Sequence, residues 1–143
     1  MAIFLDTGFY LGLVHPKDDN AFRAGEILNE LSQGIHGLLY TSNLIIAEAT
    51  TLSAARTLAN PLVLKGLERM IWGEDRLAEV LIVTPEIETK AWTLFQKVNA
   101  KIKTKRELMS FVDVSSVILA QLHQIDTITS FDSHFDQFLT RIY

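Results

Sequence analysis

At 143 residues the chain holds about one domain's worth of sequence, enough to bury roughly two-thirds of its unfolded surface. Hydrophobic residues make up 48% and charged residues 21% of it, which excludes a disordered or low-complexity polymer. The absence of cysteine excludes disulfides, zinc–thiolate sites, iron–sulfur clusters and thiol catalysis. A net charge of −4 gives no global attraction to nucleic acid, so such binding needs a local patch. Lys97, Lys101, Lys103, Lys105 and Arg106 form one, with no acid among them. No basic residue precedes Asp6, and no apolar run approaches the ~18–20 residues that span a bilayer. A single soluble, cytoplasmic domain over residues 1–143, with no membrane partner, is expected.

In chain order, Ile3-Phe4-Leu5 predicts a buried strand that turns into a helix at Asp6-Thr7, and His15-Pro16 ends that helix. Asn20 caps a helix over 21–32, with Ala24, Ile27, Leu28 and Leu31 at helical spacing. Leu38-Leu39-Tyr40 predicts a second strand. Thr41, Ser42 or Asn43 caps a helix to about Leu58, and Asn60-Pro61 separates it from another that runs to about Arg76. Val80–Val83 predicts a third strand, and Thr84-Pro85 opens a helix to about Val98. Ser110-Phe111-Val112-Asp113 has the form of a capping box, opening a helix to about Gln124. Asp126–Phe131 predicts a fourth strand, Asp132 caps a short helix through Phe138, and Arg141–Tyr143 offers an edge strand. Alternating strands and helices imply a three-layer α/β/α sandwich around a mostly parallel, Rossmann-like sheet.

Ligands of such sheets bind beyond the carboxyl ends of the strands, where this chain carries acids. Asp6 follows the first strand and Asp132 the fourth, while Glu48 and Asp113 lie in early turns of helices that begin at the same end. Asp136, four residues after Asp132, shares its helical face. Each acid has a structural alternative. Asp6 and Asp132 are natural N-caps, Asp113 completes a capping box, Asp136 is surface charge, and Glu48 marks the wet seam of an otherwise apolar helix. Convergence argues otherwise. Two carboxylates ~5 Å apart repel by roughly 3 kcal/mol at an effective dielectric constant of 20, and a hard divalent cation such as Mg²⁺ or Mn²⁺ removes that cost. Metal-dependent phosphoryl chemistry is the resulting expectation. The four histidines are scattered and support no Ser/His/Asp grouping, and Trp72 and Trp92 are expected to pack on their helices.

Phe4-Leu5-Asp6-Thr7, Thr41 to Glu48, Leu108 to Asp113 and Thr129 to Phe135 together resemble, in order and spacing, the motifs of PIN-domain ribonucleases, most of all the VapC toxins of toxin–antitoxin pairs. The resemblance covers essentially the whole chain. It implies an Mg²⁺- or Mn²⁺-dependent endoribonuclease with Asp6, Glu48, Asp113 and Asp132 as metal-binding, catalytic acids. Thr7 and Ser130 match supporting hydroxyl residues, and Asp136 matches an additional acid found in some members. An RNA substrate, a cognate antitoxin and a homodimer are implied partners. Gly8 departs from the pattern, since many members carry Ser or Asn there. Lys101, Lys103, Lys105 and Arg106 are the candidate RNA contacts, with a solvated loop as the alternative. Two other readings compete: a PIN-like binding subunit without useful nuclease activity, favoured by Gly8, and a phosphoacceptor receiver domain. The latter wants an acidic pair after the first strand and an aspartate after the third, where this chain has Asp6-Thr7 and Val83-Thr84.

Overall fold

The computed structural model describes residues 1–34 and 36–143. Its elements run β1 (Ala2–Leu5), α1 (Thr7–Val14), α2 (Ala21–Ser32), β2 (Leu38–Ser42), α3 (Asn43–Thr57), α4 (Pro61–Ile71), β3 (Glu79–Leu81), α5 (Pro85–Asn99), α6 (Phe111–Leu122), β4 (Thr127–Thr129) and β5 (Thr140–Ile142). Short 3₁₀ helices cover Lys105–Glu107 and Ser133–Gln137. The strands form one sheet in the order β3-β2-β1-β4-β5, every pairing parallel. Arg141 and Ile142 thus belong to a fifth parallel strand.

The chain steps outward from β1 to β2 and β3, then returns to the other side of β1 for β4 and β5. Right-handed crossovers therefore put α1 to α4 on one face and α5 and α6 on the other. The helix contacts follow that division: α1 packs on α2, α3 and α4, and α5 packs on α6. A central strand covered on both faces must be apolar throughout, and Ile3, Phe4 and Leu5 are fully buried together with Ile128 of β4. The strand order reverses between β1 and β4. Their carboxyl ends open there into the crevice where parallel sheets bind ligands.

Several local signals act as the sequence predicts. Ser42 Oγ accepts from Ile45 N at the start of α3, Asn60 Oδ1 accepts from Leu62 N at the start of α4, and Thr84 precedes Pro85 at α5. Gly12 permits a close helix crossing, because a Cβ there would meet the Ala24 Cβ at 2.8 Å. Gly37 is required twice over: its φ is +75°, and a Cβ would strike the Met1 carbonyl oxygen.

Other expectations are corrected. The helix expected to reach Arg76 stops at Ile71. There Gly73 folds the chain back against Arg69, an Arg69–Asp75 ion pair of 2.6 Å closes the turn, and Leu77 N donates to Met70 O. Trp92 does pack on its own helix, stacking on Phe95 at 5.4 Å, but Trp72 and Trp92 remain 61% and 53% exposed. The segment after Asp132 is 3₁₀ rather than α-helical. At three residues per turn, Asp136 no longer shares the face of Asp132. Among the described residues no helix is long and apolar enough to cross a membrane.

Candidate active site

A cavity of about 570 Å³ opens at the reversal point between β1 and β4. Asp6, Glu48, Asp113 and Asp132 all line it, together with Thr7, Gly8, Ser110 and Phe131. These residues come from four segments spread over more than 120 positions of sequence. Only the parallel sheet brings them to one place.

Asp6 leaves β1 directly after its last residue and is 5% exposed. It occupies the N-cap position of α1, yet its side chain makes no capping bond. Instead Ser130 Oγ donates to Asp6 Oδ2 at 2.7 Å across the β1–β4 junction, while Asp132 N donates to Ser130 Oγ at 3.0 Å. One hydroxyl thus links the acid after β1 to the acid after β4. Burial, then the charge of Asp113, pushes the Asp6 carboxyl up to about 7, against the Ser130 hydrogen bond that lowers it.

Asp113 both caps and lines the cavity. Its N–H donates to Ser110 Oγ at 3.1 Å, and its Oδ2 accepts from Ser110 N at 3.3 Å, so the capping box is formed. Burial raises its carboxyl to about 6, opposed by the Ser110 bonds and reinforced by the charges of Asp132 and Glu48. Glu48 projects from α3 toward α1, where Thr7 Oγ1 donates to its Oε2 at 2.5 Å. Asp132 caps the 3₁₀ turn by accepting from His134 N at 2.9 Å. His134 Nδ1 stands 2.7 Å from Asp132 Oδ1 without the alignment of a hydrogen bond. Burial works against protonating that ring, but Asp132 and the Arg106 carbonyl outweigh it and raise its pKa.

Gly8 lies on the floor of the cavity, and a Cβ added there would meet Phe131 at 3.8 Å and Asp6 Oδ2 at 3.9 Å, ordinary contact distances. The missing hydroxyl therefore reflects residue choice and not lack of room. Asp136 stands outside the cavity: Arg141 Nε and Nη2 hold its two oxygens at 2.8 and 3.2 Å. Arg141 Nη1 also donates to the Ser130 carbonyl at 3.3 Å, so the pair steadies the β4 end from behind. Lys101, Lys103, Lys105 and Arg106 are exposed, and none lines the cavity. Their loop is pinned at its base by Asn99, whose amide exchanges bonds with Met109 N and O at 2.9 and 3.0 Å.

Sequence reasoning missed Asp18, Asn20 and Arg56, which line the same cavity. Arg56 carried a readable signal, since Glu48, Leu52 and Arg56 fall at i, i+4 and i+8 on one face of α3. Asp18 carried none, because it sits in the turn between α1 and α2.

The donor set is oxygen-only and anionic, which suits Mg²⁺ or Mn²⁺. Among the described residues no three of these side chains already stand close enough to form a finished ligand group. Thr7 holds Glu48, and Ser130 and Ser110 hold Asp6 and Asp113, each by one carboxylate oxygen. The residues fit a hard cation by chemistry and location.

No protein-family model matches the chain. A VapC ribonuclease of Archaeoglobus fulgidus is 27% identical over 135 residues, covering 94% of this chain and 80% of that protein. Among solved structures, VapC20 of Mycobacterium tuberculosis, a sarcin–ricin-loop-cleaving toxin, superposes with a TM-score of 0.73 at 23% identity, over 94% of this chain and 93% of that one. The chain is thus similar to a VapC ribonuclease along nearly its whole length. FitAB bound to a DNA fragment gives a TM-score of 0.67 at 20% identity, covering 98% of this chain and 93% of that one, so the two share their α/β/α fold. A FitAcB structure from Neisseria gonorrhoeae matches with a TM-score of 0.64 at 20% identity over 99% of this chain and 96% of that one.

Proposed function

We propose that this protein is a divalent-metal-dependent endoribonuclease, the toxin of a toxin–antitoxin pair. The observation that carries the proposal is the meeting of Asp6, Glu48, Asp113 and Asp132 in one cavity at the sheet's reversal point. The VapC ribonuclease similarity along 94% of the chain supports the reaction class. Asp6, Glu48, Asp113 and Asp132 would hold Mg²⁺ or Mn²⁺, which when bound neutralises their mutual repulsion and polarises a phosphodiester for attack by water. Ser130 keeps Asp6 turned toward the cavity, and Thr7 does the same for Glu48. The Ser110 capping bonds orient Asp113. The Arg106 carbonyl approaches the His134 ring, two residues from Asp132, and Lys101, Lys103, Lys105 and Arg106 would draw RNA toward an acidic site. A cognate antitoxin and a second copy of the chain are the proposed protein partners.

The experiment is cleavage of a panel of structured RNAs, a sarcin–ricin-loop hairpin included, with Mg²⁺, Mn²⁺ or chelator, comparing the natural protein with Asp6→Asn. Metal-dependent cutting lost in the variant supports the proposal. Equal cutting by both proteins, or none by either, refutes it. The second outcome would favour a binding subunit without nuclease activity, the reading that Gly8 and the unclosed acid group support.

A further inference from the structure

Among the described residues, five acids and a single arginine line the cavity, and that arginine is Arg56. It sits near the end of α3, two turns beyond Glu48, which at 1.5 Å per residue is about 12 Å of helix rise. Its backbone is thus set off from that of Glu48, while its side chain reaches the rim of the cavity that the acids line. It is suited to the next phosphate along the strand.

Arg56 is aimed and not consumed. Asp18 Oδ2 lies 3.5 Å from its Nη1, and Asp18 is itself held, 12% exposed at its side chain, by Asn20 N donating to Oδ1 at 2.8 Å. The Arg56 side chain is still 49% exposed. A guanidinium has five N–H donors, so one loose contact with Asp18 leaves a bidentate edge for an anion. Arg56 also lines a second hollow of about 420 Å³ with His15, Lys17, Asn60 and Leu62, and among the described residues no acid lines it. A strand passing Arg56 therefore moves from an acidic chamber into a neutral-to-basic one.

Building on the nuclease reading, we propose that Arg56 is the flanking-phosphate contact of the RNA, tethered by Asp18, and that the strand leaves the acids over Arg56 toward Lys17. The partner chemistry is the phosphodiester backbone of a single strand, recognised by charge and a planar fork rather than by base identity.

The test uses the full chain and a fluorescein-labelled single-stranded RNA 12-mer. Saturation kinetics with Mn²⁺ compare the natural protein with Arg56→Gln and Arg56→Lys. Binding is followed against salt in an Asp6→Asn background, with and without Arg56→Gln. Loss of a charged hydrogen-bonded contact at a half-exposed site predicts a KM raised roughly tenfold by Arg56→Gln with kcat changed less than about twofold. Arg56→Lys, which keeps charge but not the fork, should recover part of that loss. The slope of log Kobs against log salt should flatten by about 0.7, one single-strand phosphate. An unchanged KM and slope would overturn the inference, as would an equal fall in kcat with no change in slope, which marks a structural role. Binding without cleavage in the natural protein would defeat the nuclease reading, while the salt slope would still decide Arg56.

Discussion

Replacing Asp6 by Asn should stabilise the metal-free protein while abolishing cleavage. Asp6 is buried, its carboxyl lies at about 7 instead of 3.8, and burial is the largest cause. Because the folded-state value is raised, the unfolded chain releases its proton first, so stability falls as pH climbs from about 4 to about 7. At roughly 1.4 kcal/mol per pH unit, the difference between 3.8 and about 7 amounts to about 4 kcal/mol at pH 8, as an upper limit. Asn removes the charge and keeps an oxygen for the Ser130 hydroxyl that now donates to Oδ2. Urea unfolding in chelator should therefore show Asp6→Asn more stable than the natural protein by about 2–4 kcal/mol at pH 8, shrinking below roughly 1 kcal/mol at pH 4. Equal or lower stability of the variant at pH 8 would refute the claim that this carboxylate is strained by its surroundings.

Mn²⁺ should raise the melting temperature of the natural protein more at pH 8 than at pH 6, because Asp6 and Asp113 must lose protons to bind it, and Asp6→Asn should remove most of the difference. Calorimetry showing the same increment at both pH values would contradict this. Thr7→Val should cost about 1 kcal/mol in stability through the lost bond to Glu48 and should lower kcat, read by unfolding and by RNA cleavage. Gly8→Ser should fold with stability within about 0.5 kcal/mol of the natural protein or above it, since its Cβ meets only ordinary contacts and a helical glycine is replaced. A clear drop in melting temperature would count against the geometry. Asp136→Asn should leave the cavity acids in place yet weaken Arg141's hold on the Ser130 carbonyl, giving a modest loss of stability with cleavage retained.

Much of the site was legible because its residues double as local signals. Asp6 and Asp132 follow strands, Asp113 completes a capping box with Ser110, and Glu48 breaks an apolar helix, so each is conspicuous in sequence. Their nearness depends on parallel pairing of β1 with β4; the strand pattern implies a parallel sheet but not which strands are neighbours. Other features depend on how the backbone turns and which near neighbour a side chain finds, and leave no hydrophobic period behind. The end of α4 follows from Gly73 folding against Arg69, and the loss of Asp136 from the site follows from a 3₁₀ turn captured by Arg141. Trp92 stays half exposed and stacks on Phe95, one turn further along α5.

Pattern and composition were enough to determine the alternation of strands and helices, their caps, and the set of acids at strand ends, since these depend on residues within a few positions of each other. The tertiary structure alone decided the sheet order β3-β2-β1-β4-β5, the ionisation cost of Asp6 and Asp113, and the presence of Asp18 and Arg56 in the same cavity. Burial and charge proximity are properties of three-dimensional neighbours, and the neighbours of Asp6 include Ser130, 124 positions away.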